Sequence, residues 1–158
     1  MIEATLEIHA PLTEVWNYLQ DFKRRSLWDV RLRSVTSLTP LPLCVGSLLQ
    51  YHFAWGFLRF WMEAKYIAFV PNSHSSVRFD RVSFLCLVHS AAGSWHLNAT
   101  ETGTEFHTKF SYRLKYGFYG RWLDRLFFRK TLENETKQSL ENLKRLIENK
   151  KGEDRDVS

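Results

Sequence analysis

A single long amphipathic run, from about Gly120 to Asn149, closes a chain that otherwise reads almost wholly as strands. Leu123, Leu126 and Phe127, then Leu132, Thr136, Leu140, Leu143 and Ile147, recur about every 3.6 residues, which is one helix with one apolar face. Glu133 with Lys137 and Glu141 with Arg145 add four-apart ion pairs in the favourable order. A helix of this length must bury its stripe, and the strands ahead of it offer the matching surface. The order strand, short helix, many strands, long helix describes an α+β curved antiparallel sheet gripping a terminal helix. Such an arrangement has room for an apolar cavity between its two layers.

The strands themselves are read from alternation. Ile2, Ala4, Leu6 and Ile8 alternate with Glu3, Thr5, Glu7 and His9, the period of two of a strand with one dry face. Pro11 suits the first turn of a helix, where its missing N–H costs nothing, and Leu12, Val15, Trp16, Leu19 and Phe22 follow at helical spacing. Lys23 to Trp28 read as a second short helical turn. Pro40, Pro42 and Gly46 break the next stretch. After them Ser47 to Ala54, Leu58 to Phe69, Ser75 to Arg81, Phe84 to Ala99 and Thr104 to Lys115 read as successive strands, with turns at Gly56, Pro71-Asn72 and Glu101-Thr102-Gly103. In the last strand Thr104, Phe106, Thr108, Phe110, Tyr112 and Leu114 share one face and charged or polar residues the other.

Length and composition narrow the classes. At 158 residues the chain suits one domain, expected over residues 1–149, with 150–158 as a flexible charged tail. A composition 44% hydrophobic and 15% aromatic supplies a core with a surplus to line a cavity. The formal charge of +5 permits anionic surfaces or ligands as partners without requiring them. Cys44 and Cys86 have neither a Cys-x-x-Cys nor a metal spacing, so free thiols in a reducing cytoplasm are expected. There is no signal-peptide pattern and no apolar run near the roughly 18 residues that cross a bilayer. A soluble, cytoplasmic protein is expected, a monomer or weak homodimer, touching membranes only peripherally.

Ile8-x-Ala10-Pro11-x-x-x-Val15-Trp16, Asp21-Phe22 and Trp28 form one group of motifs. Gly93-Ser94-Trp95-His96-Leu97, Gly103-Thr104-Glu105-Phe106 and Leu140-x-x-Leu143-Lys144-x-x-Ile147-Glu148 form the others. Together they resemble the START/Bet v 1-like (SRPBCC) superfamily, and within it the bacterial polyketide cyclase/dehydrase and lipid-transport branch. The resemblance covers Met1 to about Glu148 and implies a helix-grip fold: a seven-stranded antiparallel sheet wrapped round the C-terminal helix, with two short helices after the first strand. It also implies a cavity for lipids, quinones, sterols or polyketide-like molecules. Its motifs mark packing positions rather than catalytic ones, so fold does not choose among carriers, cyclases and binding modules.

Four features are candidates for function. The expected cavity wall is Tyr51, Phe53, Trp61, Leu85, Leu87, Trp95, Leu97, Phe106, Phe110 and Tyr112 from strands, with Leu123, Phe127 and Leu140 from the helix. The alternative is that these residues pack against one another as a closed core. Phe53 to Met62 is too apolar for an ordinary solvated hairpin and reads either as a contact surface or as long covered strands. Arg121, Arg125 and Arg129 form a four-apart basic row suited to an anionic membrane surface or to plain solvation. His52, Arg78, Asp80 and His96 are the polar groups expected to reach the cavity, where a shifted pKa would permit acid or base work; Glu63, His89 and Tyr112 are weaker candidates.

Six histidines, widely separated and without a helical i, i+4 pair, give no metal motif, and no cofactor is expected. No nucleic-acid motif, nucleophile elbow, P-loop or dinucleotide fingerprint is present. The reading that follows is a carrier or chaperone for a hydrophobic small molecule. A cyclase/dehydrase-type enzyme using the same cavity and a protein-interaction module are the alternatives.

Overall fold

In the computed structural model, which describes residues 1–55, 58–84, 86–115 and 129–155, strand β1 (Ile2–Ile8) leads into helix α1 (Leu12–Gln20). A 3-10 turn (Phe22–Arg24) and the short helix α2 (Arg25–Trp28) follow. Then come β2 (Leu32–Ser37), β3 (Leu48–Trp55), β4 (Leu58–Val70), β5 (His74–Val82), β6 (Val88–Ala99), β7 (Thr104–Leu114) and the long helix α3 (Arg129–Arg155). The strands form one seven-stranded sheet in the order β1-β7-β6-β5-β4-β3-β2, every neighbouring pair antiparallel. This is the helix-grip architecture expected from the sequence.

That order puts β1 and β2, neighbours in sequence, at opposite edges, so α1 and α2 must carry the chain from one edge to the other. They thereby close one end of the curved sheet. Register shifts at Leu32/Ser34, Glu63/Ala64, Tyr66/Ala68 and Val88/Ser90 interrupt the ladders, and such bulges bend and twist a strand locally. The alternation expected for β1 is realised: Ile2 and Ile8 are buried, and Ile2 to Ile8 run in register against Phe110 to Thr104.

Two apolar clusters fill the concave side. One joins Leu49, Tyr51, Met62, Tyr66, Val77 and Phe79 across the middle of the sheet. The other packs Val15, Trp16 and Leu19 of α1 and Trp28 of α2 against Leu97, Phe106 and Leu140, Leu143 and Ile147 of α3. Phe69 and Trp95 touch both clusters. Fully burying one of these aliphatic side chains contributes about 1.5–3 kcal/mol, so the stripe on α3 anchors the helix without needing strong intrinsic helicity.

Two expectations need correction. Cys86 N–H donates to Ser83 O and closes a turn, so β6 starts at Val88 rather than Phe84; Phe84 is almost fully exposed. The unbroken apolar run reads as strand although it spans the change of direction between β5 and β6. The backbone of α3 also continues to Arg155, past the expected boundary at 149, because local helical hydrogen bonding outlasts the packed stripe ending at Ile147.

The join of β1, α1 and β7 explains the Gly103-Thr104 motif. Thr100 N–H donates to Gly103 O, and Gly103 N–H donates to the Thr100 hydroxyl, forming a tight turn. The next residue, Thr104, is fully buried and donates its hydroxyl to Ala10 O at 2.8 Å. A Cβ on Gly103 would run into Ile8 O and lie 2.9 Å from His9 Cα, both backbone atoms. Gly103→Ala is therefore expected to destabilise the fold by about 3 kcal/mol, at the upper end of overpacking costs, measured by denaturant unfolding. A variant within about 0.5 kcal/mol of the wild type would show that this junction yields freely.

Candidate functional site

The corner between α2 and β2 places charge inside the molecule. Asp21 accepts Lys23 N–H and starts the 3-10 turn, after which a single turn of α2 buries Arg25 and Trp28 on one face. Asp29 is buried and grips Arg31 in a two-bonded fork, Nε to Oδ1 and Nη2 to Oδ2, both 2.8 Å, while also accepting Arg31 N–H at 3.2 Å. Helix α3 holds the corner in place: Ser139 Oγ donates to Glu135 O and accepts Val30 N–H.

Burial is the largest influence on Asp29 and pushes its pKa up. The charge and hydrogen bonds of Arg31, with the charge of Arg25, outweigh it and hold the carboxyl below its ordinary 3.8. Burial likewise pulls on the Arg31 guanidinium, but the charge and bonds of Asp29 keep its pKa raised.

Arg25 has no such partner. It is 5% exposed, and its guanidinium carbon sits 4.3 Å from the ring centre of Trp95, 5.2 Å from Trp28 and 5.6 Å from Tyr51. Its Nη1 makes a long 3.4 Å bond to the Tyr51 hydroxyl, and its Nε has no partner among the described residues. Tyr66 donates to Gln20 Oε1, and Gln20 Nε2 donates to Ser75, extending the polar seam along the floor. Burial pushes both the Tyr51 and Tyr66 phenols up, so they remain neutral donors at physiological pH.

Beside this seam lie two adjoining hollows, each of about 70 Å³, between the sheet and α3. Arg25, Trp28, Tyr51, Trp95, Phe106 and Leu140 are among the residues lining the first. Phe60, Met62, Val88, Leu132 and Glu135 are among those lining the second. Arg31, Phe53 and Phe110 border both and form the partition, with Arg31 5.9 Å over the Phe110 ring. Burial pushes the half-buried Glu135 carboxyl up, against the pull of Arg31.

Of the residues expected to line a cavity, Tyr51, Phe53, Trp95, Phe106, Phe110 and Leu140 border the hollows. Leu97 is buried instead in the cluster with α1 and α3, and Tyr112 packs beside Phe110 outside both hollows. Leu85, Leu123 and Phe127 lie outside the described residues, as do Arg121 and Arg125 of the basic row; Arg129 pairs with Glu133 at 3.0 Å. In the aromatic hairpin Phe53 and Phe60 stack at 5.2 Å, and Trp61 opens with Arg33, His52 and Arg59 onto a shallow outer cleft. Leu87 is exposed just before β6.

The four polar cavity candidates are corrected. Successive strand residues point to opposite faces, so once Tyr51 and Phe53 face inward, His52 cannot. Inward Val77 and Phe79 turn Arg78 and Asp80 out, where they pair with each other at 2.9 Å with both side chains more than half exposed. Inward Trp95 and Leu97 turn His96 out, where it stacks 5.4 Å from His74 and lies in register with His107. Burial and these two neighbours lower the His96 pKa. Among the described residues no group of three His, Cys, Asp or Glu could hold a metal ion.

Sequence reasoning missed Arg25, Asp29 and Arg31. The spacing from Arg25 to Trp28 and Asp29 is a single turn, too short to establish a helical period. The neighbours Lys23 and Arg24 make Arg25 read as part of a solvated basic run.

Comparison with known proteins gives the following. A sequence model for the family described as polyketide cyclase / dehydrase and lipid transport matches residues 1–148. The chain is 31% identical over 157 residues to a Bacillus subtilis (strain 168) protein named uncharacterized membrane protein YndG, covering 95% of this chain but 58% of that relative. The chain thus spans little more than half the length of this curated relative. Among the described residues no helix is long and apolar enough to cross a membrane. The fold is similar to that of TTHA0849 from Thermus thermophilus, with a TM-score of 0.76 at 13% identity over 92% of this chain and 95% of that one. It is also similar to the di-domain ARO/CYC StfQ from the steffimycin biosynthetic pathway, with a TM-score of 0.75 at 14% identity over 96% of this chain and 51% of that one.

The Asp29 pair makes a pH prediction. Because the folded carboxyl is depressed, its contribution to stability is complete above the unfolded carboxylate range, near pH 4, and is lost as pH falls through the folded value. Asp29→Asn is expected to cost about 3 kcal/mol at pH 7, since it leaves two guanidiniums without a carboxylate, and to lose less further stability on acidification than the wild type does. Thermal unfolding at pH 7 and pH 3 checks both. Parallel acid losses in the two proteins would remove Asp29 from the account.

Proposed function

The chain belongs to the polyketide cyclase / dehydrase and lipid transport family, and on that premise we propose that it binds a hydrophobic small molecule between its sheet and α3 and acts as a carrier or chaperone for it. The observation that carries this reading is the pair of hollows walled by aromatic and aliphatic side chains from both layers. Burial of apolar ligand surface at roughly 25 cal/mol per Å² would supply most of the affinity, with the polar seam fixing orientation.

Each hollow, at about 70 Å³, has room for a few heavy atoms, so a lipid- or polyketide-sized guest must displace the Phe53/Phe110 partition and join the two. Such opening is a conformational step of the kind that lids and packed layers make on binding. The free thiols of Cys44 and Cys86 fit a reducing, cytoplasmic setting for this activity.

One observation favours a second reading, a cyclase/dehydrase-type enzyme. Glu135 borders the second hollow, and burial pushes its carboxyl pKa up against the pull of Arg31, the direction that suits a general acid. In that case Glu135→Gln would abolish conversion of a bound chain and leave its binding intact.

Native mass spectrometry of the freshly purified protein, followed by solvent extraction, tests the carrier reading. A stoichiometric lipid, quinone or polyketide released intact supports it. A clean apo mass, with no thermal stabilisation across an apolar ligand panel, overturns it in favour of a protein-interaction module. In addition, Leu140→Trp, which places a larger ring in the first hollow, is expected to weaken ligand binding about tenfold or more while the far-UV circular dichroism is retained.

A further inference from the structure

Three residues that line the first hollow each carry a buried polar atom with no hydrogen-bond partner among the described residues: Arg25 Nε, Trp28 Nε1 and Thr136 Oγ1. Buried polar atoms are ordinarily satisfied, so three such atoms around one small space call for a common explanation. Arg25 and Trp28 can only donate, and a threonine hydroxyl can donate as well as accept. The group that would satisfy all three is therefore an acceptor.

Charge narrows the acceptor further. Arg25 and Arg31 face the hollow with Asp29, and both Asp29 oxygens are taken by the fork to Arg31. Glu135 lies near Arg31, beside the second hollow. The rings of Trp95, Trp28 and Tyr51 surround the Arg25 guanidinium, where cation-π attraction steadies the charge without neutralising it. We propose that Arg25, with Trp28 and Thr136, forms the head-group subsite of the cavity and selects ligands that carry a carboxylate on an apolar body. This inference rests on the cavity-binding reading above. It adds the ligand class: an acidic amphiphile whose oxyanion sits at the α2 corner and whose chain runs past Phe53 and Phe110 toward the second hollow. A guanidinium matches the planar, two-oxygen geometry of a carboxylate, which an alcohol lacks.

Decanoate and 1-decanol share one chain and differ in the head group, and titration of the intrinsic tryptophan fluorescence gives both affinities. The wild type is expected to bind decanoate about 10- to 100-fold more tightly than 1-decanol, as for hydrogen bonds to a charged group. Arg25→Met should erase that preference, bringing the ratio of the two affinities close to one. Trp28→Phe, which removes the indole N–H and keeps an aromatic ring at the position, should reduce the preference severalfold.

If the wild type binds both ligands equally, the head-group inference falls and the cavity reading stands. A preference that survives in Arg25→Met places the anion elsewhere and also overturns it. If the wild type binds neither ligand, both readings fail together. If Arg25→Met does not fold, Trp28→Phe takes its place: a decanoate preference that Trp28→Phe leaves unchanged overturns the inference.

Discussion

The fork between Asp29 and Arg31 is the interaction on which the rest of the site depends. It sits where α2 hands the chain to β2, at the edge of the sheet opposite β1, and it fixes the angle at which α2 caps the curved sheet. A carboxylate that accepts two guanidinium bonds and a backbone N–H has little capacity left. Because Asp29 is committed to Arg31, Arg25 one helical turn earlier is left among rings. The geometry that makes the corner rigid also leaves inside the fold a cation with no carboxylate hydrogen-bonded to it.

The fold was legible because its signals are periodic. Period two in β1 and β7 gave the correct faces, and the 3.6-residue stripe of α3 gave Leu140, Leu143 and Ile147 as its buried face. Positions that break periodicity were not legible. The turn that Cys86 closes onto Ser83 lies within an unbroken apolar run, and register shifts at Glu63/Ala64 and Tyr66/Ala68 reset the alternation of β4, where both faces carry aromatic residues.

The site was legible only in its apolar part. Tyr51, Phe53, Trp95, Phe106, Phe110 and Leu140 could be chosen for hydrophobicity and strand or helix position. The polar choices ran against the same alternation, since His52 lies between Tyr51 and Phe53, and His96 between Trp95 and Leu97. The polar groups that do reach the interior come from a four-residue helix and a turn, which are too short to show a period. Arg25 is also of a residue type that is rarely buried unless paired, so composition argues against the position it takes.

Burying Arg25 without a hydrogen-bonded carboxylate has an energetic consequence for how the molecule works. Taking a charge out of water costs several kcal/mol after relaxation, and an apolar side chain of similar volume at that position would leave the empty fold more stable. Three rings and one long bond to Tyr51 recover part of that cost. Whatever supplies an acceptor to Arg25 Nε recovers more, and linkage returns the difference as stabilisation of the folded state that grows with ligand concentration. A guest that supplied this acceptor would therefore couple its occupancy to stability at the α2–β2 corner, which Ser139 ties to α3.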